Sequence, residues 1–468
     1  MKIIPILAWN KGYRNMDNRR RKFMNRPWAQ GLVLLVCVAL AMLFANLPLT
    51  KTIYHELLET KISIGISGFL NLDFPKGMTV EGFVNDILMT VFFFVVGLEI
   101  RREVSHGELC SFKKAILPVI AAFGGVVLPA AIYIVINHGT AAASGWGIPT
   151  ATDIAFAVCI LTLLGDRIPT SLKVFLTALA IADDLIAILV VAIFYGGQIN
   201  MALLLSALAV IIFTIVLNRI GEKHYSVFIL MALLVWTLFY YAGIHSTMSG
   251  VVMAFIIPNV PRYKKAYFNR KSKEYYRRLK EYENQDGFED VFPNSLQRHC
   301  LRRICAVSKG SMGLADRLEH ALGPWVNFII MPVFALANAG VEISDLSYFN
   351  IFHFTPDLGS VGMGIFLGLV IGKPLGITLS SLIAIKCKVA EMPAKADWHM
   401  LLAVACLGGI GFTMSLFVDT LSFGDQSHEV VEHLRDAGKI AVLMASVGSA
   451  ILGTAIIKIV HKAEEKLT

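Results

Sequence analysis

The stretch ALAIADDLIAILV, Ala178 to Val190, places two adjacent aspartates inside an otherwise unbroken apolar run. Apolar residues make up 56% of the 468 and charged residues only 16%, a balance far from that of a soluble globular chain. The run therefore reads as part of a membrane-spanning helix over residues 172–194, and the same reading extends along the chain. Twelve spans are predicted: 28–48, 82–100, 115–137, 147–164, 172–194, 201–217, 226–243, 246–258, 321–340, 360–385, 399–418 and 440–460. The fold class is an all-α polytopic membrane protein. Segment 246–258 is short for a full crossing and must tilt or share its depth with a neighbour.

Basic residues set the orientation. With the N-terminus inside, the inner segments hold 36 of the 42 Lys and Arg. The outer segments hold five, Lys51, Lys61, Lys76, Arg435 and Lys439. This bias places both termini in the cytoplasm. The net charge of +8 follows from topology and gives no reason to expect a nucleic-acid partner. No cleavable signal peptide is expected, because the head has no apolar core before residue 28. The seven cysteines fall in spans or inner loops, which argues against structural disulfides. HCLRRIC at 299–305 matches no common zinc spacing, and no cofactor is expected.

One transmembrane domain, 28–460, lies between a basic tail, 1–27, and a short cytoplasmic tail, 461–468. Residues 51–80 form an outer hairpin, with its turn expected at Pro75-Lys76-Gly77. Residues 262–317 form a long inner loop with fourteen Lys and Arg against seven Asp and Glu, a solvated linker near the headgroups of the lipid bilayer. Within it, 271–285 reads as one helix that DGFEDVFPNS ends.

Two trios of spans, 115–194 and 360–460, begin at opposite faces, and the middle span of each is interrupted. The first interruption is GWGIPTATDIAFA (145–157), with Pro149, Thr150, Thr152 and Asp153. The second is LGGIGFTMS (407–415), with Gly409, Gly411, Thr413 and Ser415 supporting the break. Broken helices, 147–164 and 399–418, at matching places in inverted-topology repeats point to a transporter binding site.

Asp183 and Asp184 lie eleven and ten residues from Phe194, about 16 Å from the ends of their span and so near mid-bilayer. A charge there costs about 2.5–3.5 kcal/mol on insertion scales, too much for a pair with no task. Lys373, in IGKPLGI, is equally central and needs an anion or carbonyl ends as partner. Hard cations prefer oxygen ligands, so a carboxylate pair at mid-depth holds either a small cation or protons. Competition for one site that opens to alternate sides gives exchange. Rival readings from the same residues are a Na+-coupled symporter or cation channel, an intramembrane aspartyl protease and a retinal protein. Neither ATDIA nor IADDL has the protease context, and Pro374 after the lysine disfavours retinal.

The region 145–195 resembles the signature of the NhaA family of bacterial Na+/H+ antiporters. So do FVNDILMTVFFFVVGLEIRREV (83–104), GIHSTMSGVV (243–252), MPVFALANAGV (331–341), LVIGKPLGI (369–377) and GGIGFTMSLF (408–417). The resemblance runs in order from about residue 28 to 460. It implies a secondary transporter, not an enzyme, in the bacterial inner membrane. It further implies crossed broken helices, electrogenic exchange of Na+ or Li+ for more than one H+, and control by cytoplasmic pH. Carried over by motif, Asp183 and Asp184 resemble the Na+- and proton-binding pair, Asp153 and Thr152 the polar residues at the break, and Lys373 the buried lysine. Glu99, Arg102, Glu103, Glu319 and His320 resemble the pH-sensing cluster, and His245 is a further candidate. From the residues alone, Glu99 and Glu103 read as a solvated helix end. Gly323 stands where some members have a second histidine, and loop 262–317 is longer than in compact members. A homodimer through the hairpin is expected.

Overall fold

The computed structural model describes residues 27–66, 70–73, 78–197, 199–222, 224–259, 261, 263–286, 294–343, 354, 358–394, 396–423 and 428–465. Almost all of the N-terminal tail, the end of the C-terminal tail, the expected turn at 75–77 and residues 287–293 lie outside them. The helices are, in chain order, α1 (Pro27–Asn46), α2 (Lys51–Glu59), α3 (Met89–His106), α4 (Phe112–Asn137), α5 (Ile154–Leu163), α6 (Thr170–Phe194), α7 (Met201–Ile220), α8 (Tyr225–Ala242) and α9 (Met248–Ile256). Then follow α10 (Lys265–Asp286), α11 (Ser295–Gly310), α12 (Leu314–Trp325), α13 (Met331–Asn338), α14 (Val361–Leu367), α15 (Lys373–Lys386), α16 (Trp398–Gly408), α17 (Phe412–Ser422) and α18 (His428–Glu465).

Among the described residues, nine helical segments are long and apolar enough to cross a bilayer, and two bent pairs bring the number to eleven. The first pair joins a 3-10 helix, Ala141–Thr150, to α5 with a bend of 43°. The second joins α16 to α17 with a bend of 47°. The twelfth expected span is α9, nine residues long, too short to cross by itself. Several helices outrun their apolar windows. The helix of the last predicted span, 440–460, begins at His428, and that of 321–340 begins at Leu314, because charged first turns remain helical outside hydrocarbon.

The hairpin is two antiparallel strands, β1 (Ser63–Ile66) and β2 (Leu70–Asp73), with Ile66 opposite Leu70. In the long inner loop, α10 begins six residues before the predicted helix, and α11 was not anticipated. An Asn294–Gln297 capping box starts α11.

Two π-helical turns precede prolines. Val326–Ile330 lies before Pro332, and Gly368–Gly372 lies before Lys373 and Pro374. A proline lacks the N–H for the bond to residue i−4 and its ring crowds that carbonyl; the widened turn absorbs both without ending the helix.

Glycines let the first members of the two trios cross closely. A Cβ on Gly124 would meet the carbonyl oxygen of Gly376 at 2.5 Å, and one on Gly372 would meet Pro129 Cα at 3.1 Å. Near the other end, Asn137 Nδ2 donates to the Ser360 carbonyl at 3.3 Å. Rising numbers on α4 thus meet falling numbers on α14–α15, so the two helices run antiparallel, as inverted repeats require.

Candidate functional site

The bent pairs cross at their breaks. Proline and glycine leave backbone groups there without helical partners, and several are met by side chains. Asp153 is the N-cap of α5: its Oδ1 accepts from Phe156 N–H at 3.2 Å. Its Oδ2 accepts from Thr413 N–H at 3.2 Å and from the Thr413 hydroxyl. One carboxylate thus faces the positive amino ends of α5 and α17 together. At the carboxyl ends, Lys373 Nζ donates to the Thr150 carbonyl, and Thr152 Oγ1 donates to the Gly408 carbonyl at 2.8 Å. Ser415 Oγ donates to the Ile148 carbonyl at 2.8 Å. The Asp153 N–H donates to the Ile410 carbonyl at 2.7 Å and links the two chain breaks directly.

Small size is required at the break. A Cβ on Gly411 would meet Ala151 O at 3.2 Å, and one on Gly409 would meet Ser449 Oγ at 2.7 Å. Both glycines therefore serve close approach.

The carboxylate pair lies beside this crossing. Asp183 is 0% exposed, Asp184 2% and Lys373 0%. Lys373 Nζ lies 2.7 Å from Asp183 Oδ2. Asp183 Oδ1 and Asp184 Oδ1 are buried, and among the described residues neither has a hydrogen-bond partner. Two carboxyl oxygens on consecutive residues, unsatisfied and out of water, can be satisfied by a proton or by a hard cation. Thr152, Asp153, Thr413 and Ser415 are likewise fully or almost fully buried.

A second cluster joins α3 to α12. Arg102 pairs with Glu319, and its Nη2 lies 3.5 Å from Glu103 Oε1. Glu99 and Glu103 are half-buried and Glu319 is buried, so the reading of a solvated helix end is corrected. The packing of α12 against α3 takes Glu99 and Glu103 partly out of water, while Arg102, Val104 and Ser105 at the same helix end stay exposed. His320 is exposed next to Glu319, and a Cβ at Gly323 would meet open space. His245 lies elsewhere: its Nε2 bonds the Tyr195 carbonyl, and Ser246 Oγ donates to Asp86 Oδ1 at 2.8 Å. Burial lowers the His245 pKa, against smaller upward effects of the Tyr195 carbonyl and Asp86.

Sequence reasoning missed Asp419, fully buried on α17. The predicted span ended one residue short of it, so it was not counted among intramembrane charges. The Thr150 carbonyl, at the carboxyl end of the first half of the broken span, is one of the carbonyl ends expected as a partner of Lys373.

A sequence model of the family described as Na+/H+ antiporter 1 matches residues 21–457. The chain belongs to this family. It is 38% identical over 446 residues to the Na(+)/H(+) antiporter NhaA of Oleidesulfovibrio alaskensis, covering 95% of this chain and 94% of that one. It is 41% identical over 440 residues to that of Syntrophobacter fumaroxidans (92% and 88%) and 37% identical over 433 to that of Escherichia coli O1:K1 (92% and 96%). The NhaA resemblance of the motifs thus extends to nearly the whole chain. It is a multi-pass membrane protein of a transporter family and not an enzyme.

Proposed function

We propose that the chain exchanges cytoplasmic Na+ or Li+ for external H+ by alternating access, and that cation and protons compete for Asp183 and Asp184. Family membership supports Na+/H+ antiport. The observation that carries the mechanism is the pair of unpartnered oxygens, Asp183 Oδ1 and Asp184 Oδ1, beside a fully buried lysine. With Asp184 protonated and Lys373 paired to Asp183, the site is neutral. A cation that binds both carboxylates displaces the Asp184 proton. It also shares the Asp183 charge that held the Lys373 ammonium, which then releases its own proton. One cation thus replaces a proton from each of two groups, and the cycle is electrogenic. Thr152 lies at the break and can add an oxygen to the cation.

The basic bias of the inner segments supports a bacterial inner-membrane orientation with tails 1–27 and 461–468 in the cytoplasm. In this orientation Glu99, Arg102, Glu103, Glu319 and His320 lie at the cytoplasmic mouth and set the pH at which the site opens. Segment 51–80 lies outside, and among the described residues each strand of its two-stranded sheet keeps one edge that a second copy can pair. The test is dequenching of a pH-sensitive dye in proteoliposomes. Na+ and Li+ added without organic solute should collapse the proton gradient, and K+ should not. A response that needs a solute, or that K+ matches, would remove the proposal.

A further inference from the structure

Asp419 is an acid that the exchange site does not use. It lies seven residues beyond the first residue of α17, about 10 Å along the helix from the break. Among the described residues, neither of its carboxylate oxygens has a hydrogen-bond partner. The hydroxyls that face it are committed elsewhere. Tyr133 donates to the Ala142 carbonyl at 2.9 Å, and Tyr195 to the Ser144 carbonyl at 2.8 Å. Helix α18 presses on it from the other side: a Cβ on Gly438 would collide with the carboxylate.

Among the described residues, the charges that weigh most on Asp419 come from α18: Lys439, Arg435 and Asp436. Among the described residues none is within 4.0 Å as an ion-pair partner. Lys439 lies 3.8 Å from Asp436, which is itself faced by Glu432, His55 and His433. Arg435 donates from Nη2 to the Thr420 carbonyl, while its Nε is buried and, among the described residues, without a partner. The same Arg435 lines a cavity of about 250 Å³ with Thr79, Glu81, Asp86, His245 and Thr420, just beyond the hairpin.

An ionised carboxylate without hydrogen bond or ion pair is a costly thing to bury, and a protonated one is far cheaper. The surroundings therefore suit the protonated acid. The ionised acid has a remedy in reach, because the unused Arg435 Nε is an unsatisfied donor on the helix that already faces it. We propose that Asp419 is a further proton-binding site of this protein, separate from Asp183 and Asp184, that exchanges its proton with the cavity at the hairpin end and pairs with Arg435 when ionised. Its O–H bond breaks, the proton passes to cavity water, and the guanidinium remains charged throughout. The pairing draws α17 against α18, and α17 also carries Thr413, which Asp153 holds. The inference stands on the surroundings of one carboxyl and does not require that the chain transport Na+.

Difference infrared spectroscopy of the full chain in lipid nanodiscs, titrated from acid to alkaline pH, tests it. A carbonyl band of a protonated carboxyl should be present at acid pH and lost at alkaline pH. It should be missing from Asp419→Asn and retained in Asp183→Asn/Asp184→Asn. In Arg435→Gln the loss should move toward alkaline pH by about one unit or more, since the ionised form has lost its partner. If Asp419→Asn fails to insert, the Arg435→Gln shift carries the test in an otherwise native chain. Identical spectra for parent and Asp419→Asn, a band that persists at every pH, or a band lost with Asp183 and Asp184 overturns the site. An unmoved midpoint in Arg435→Gln overturns the pairing.

Discussion

The carboxylate of Asp153 accepts both the backbone N–H and the hydroxyl of Thr413, 260 residues away in sequence, while it caps its own helix through Phe156 N–H. Removing it leaves two helix amino ends without an acceptor in a buried crossing. Asp153→Ala should destabilise the fold by about 0.5–2 kcal/mol for each cap lost, read as a lower Tm in detergent. Asp153→Asn keeps an acceptor oxygen and should fall between Asp153→Ala and the parent. Parent-like melting of the alanine variant would show that the carboxylate does not hold the crossing.

Asp184→Asn should insert normally, since neutralising a buried carboxyl that has no ion-pair partner removes a desolvation cost, whereas Asp183→Asn leaves the buried Lys373 without its counter-charge and should insert with a lower Tm. Each should reduce exchange to the background of empty liposomes. Parent-like dye recovery in either inserted variant would exclude that residue from the ion site.

Lys373 has two separable tasks. Its ion pair with Asp183 and its bond to the Thr150 carbonyl are structural, so Lys373→Ala should lower Tm, whereas Lys373→Arg should retain much of it. Proton release requires a group that can deprotonate, which arginine cannot do. Lys373→Arg should therefore exchange without net charge movement, measured as exchange insensitive to an imposed membrane potential. Electrogenic exchange in Lys373→Gln would exclude the carrier role.

The spans and both breaks were legible because hydropathy and the residues of GWGIPTATD and LGGIGFTMS report directly on water and on backbone freedom. Asp183, Asp184 and Lys373 were legible for the same reason: a charge in hydrocarbon stands out. What joins them was not. That Lys373 chooses Asp183 and Thr150, or that Asp153 reaches Thr413, depends on how separate spans pack, and no local pattern records it. Asp419 escaped because a hydropathy window ends at the first acid near its edge, whereas burial continues for another turn.

The two histidine candidates should separate cleanly. His320 is exposed beside Glu319, and its loss removes a positive counter-charge from the α3–α12 cluster. His320→Ala should move activation toward alkaline pH with maximal exchange kept within about twofold, since the ion site is untouched. His245, its pKa lowered by burial, stays neutral through the activation range, and His245→Gln should leave the activation pH unmoved. Its effect is on stability. The unfolded chain takes the proton first, so the His245 contribution is lost as pH falls below about 6.5, and His245→Gln should flatten that decline. The opposite pattern in pH–activity curves would place the sensor at His245.

Competition between Na+ and H+ for Asp183 and Asp184 is most directly tested by Na+ binding to the full chain at several pH values, measured by isothermal titration calorimetry. Apparent affinity should fall about tenfold per pH unit for each proton displaced as pH drops through the titration of the pair, with proton release matching the buffer ionisation enthalpy. A Na+ affinity that stays constant across that range, with no protons released, would contradict the account.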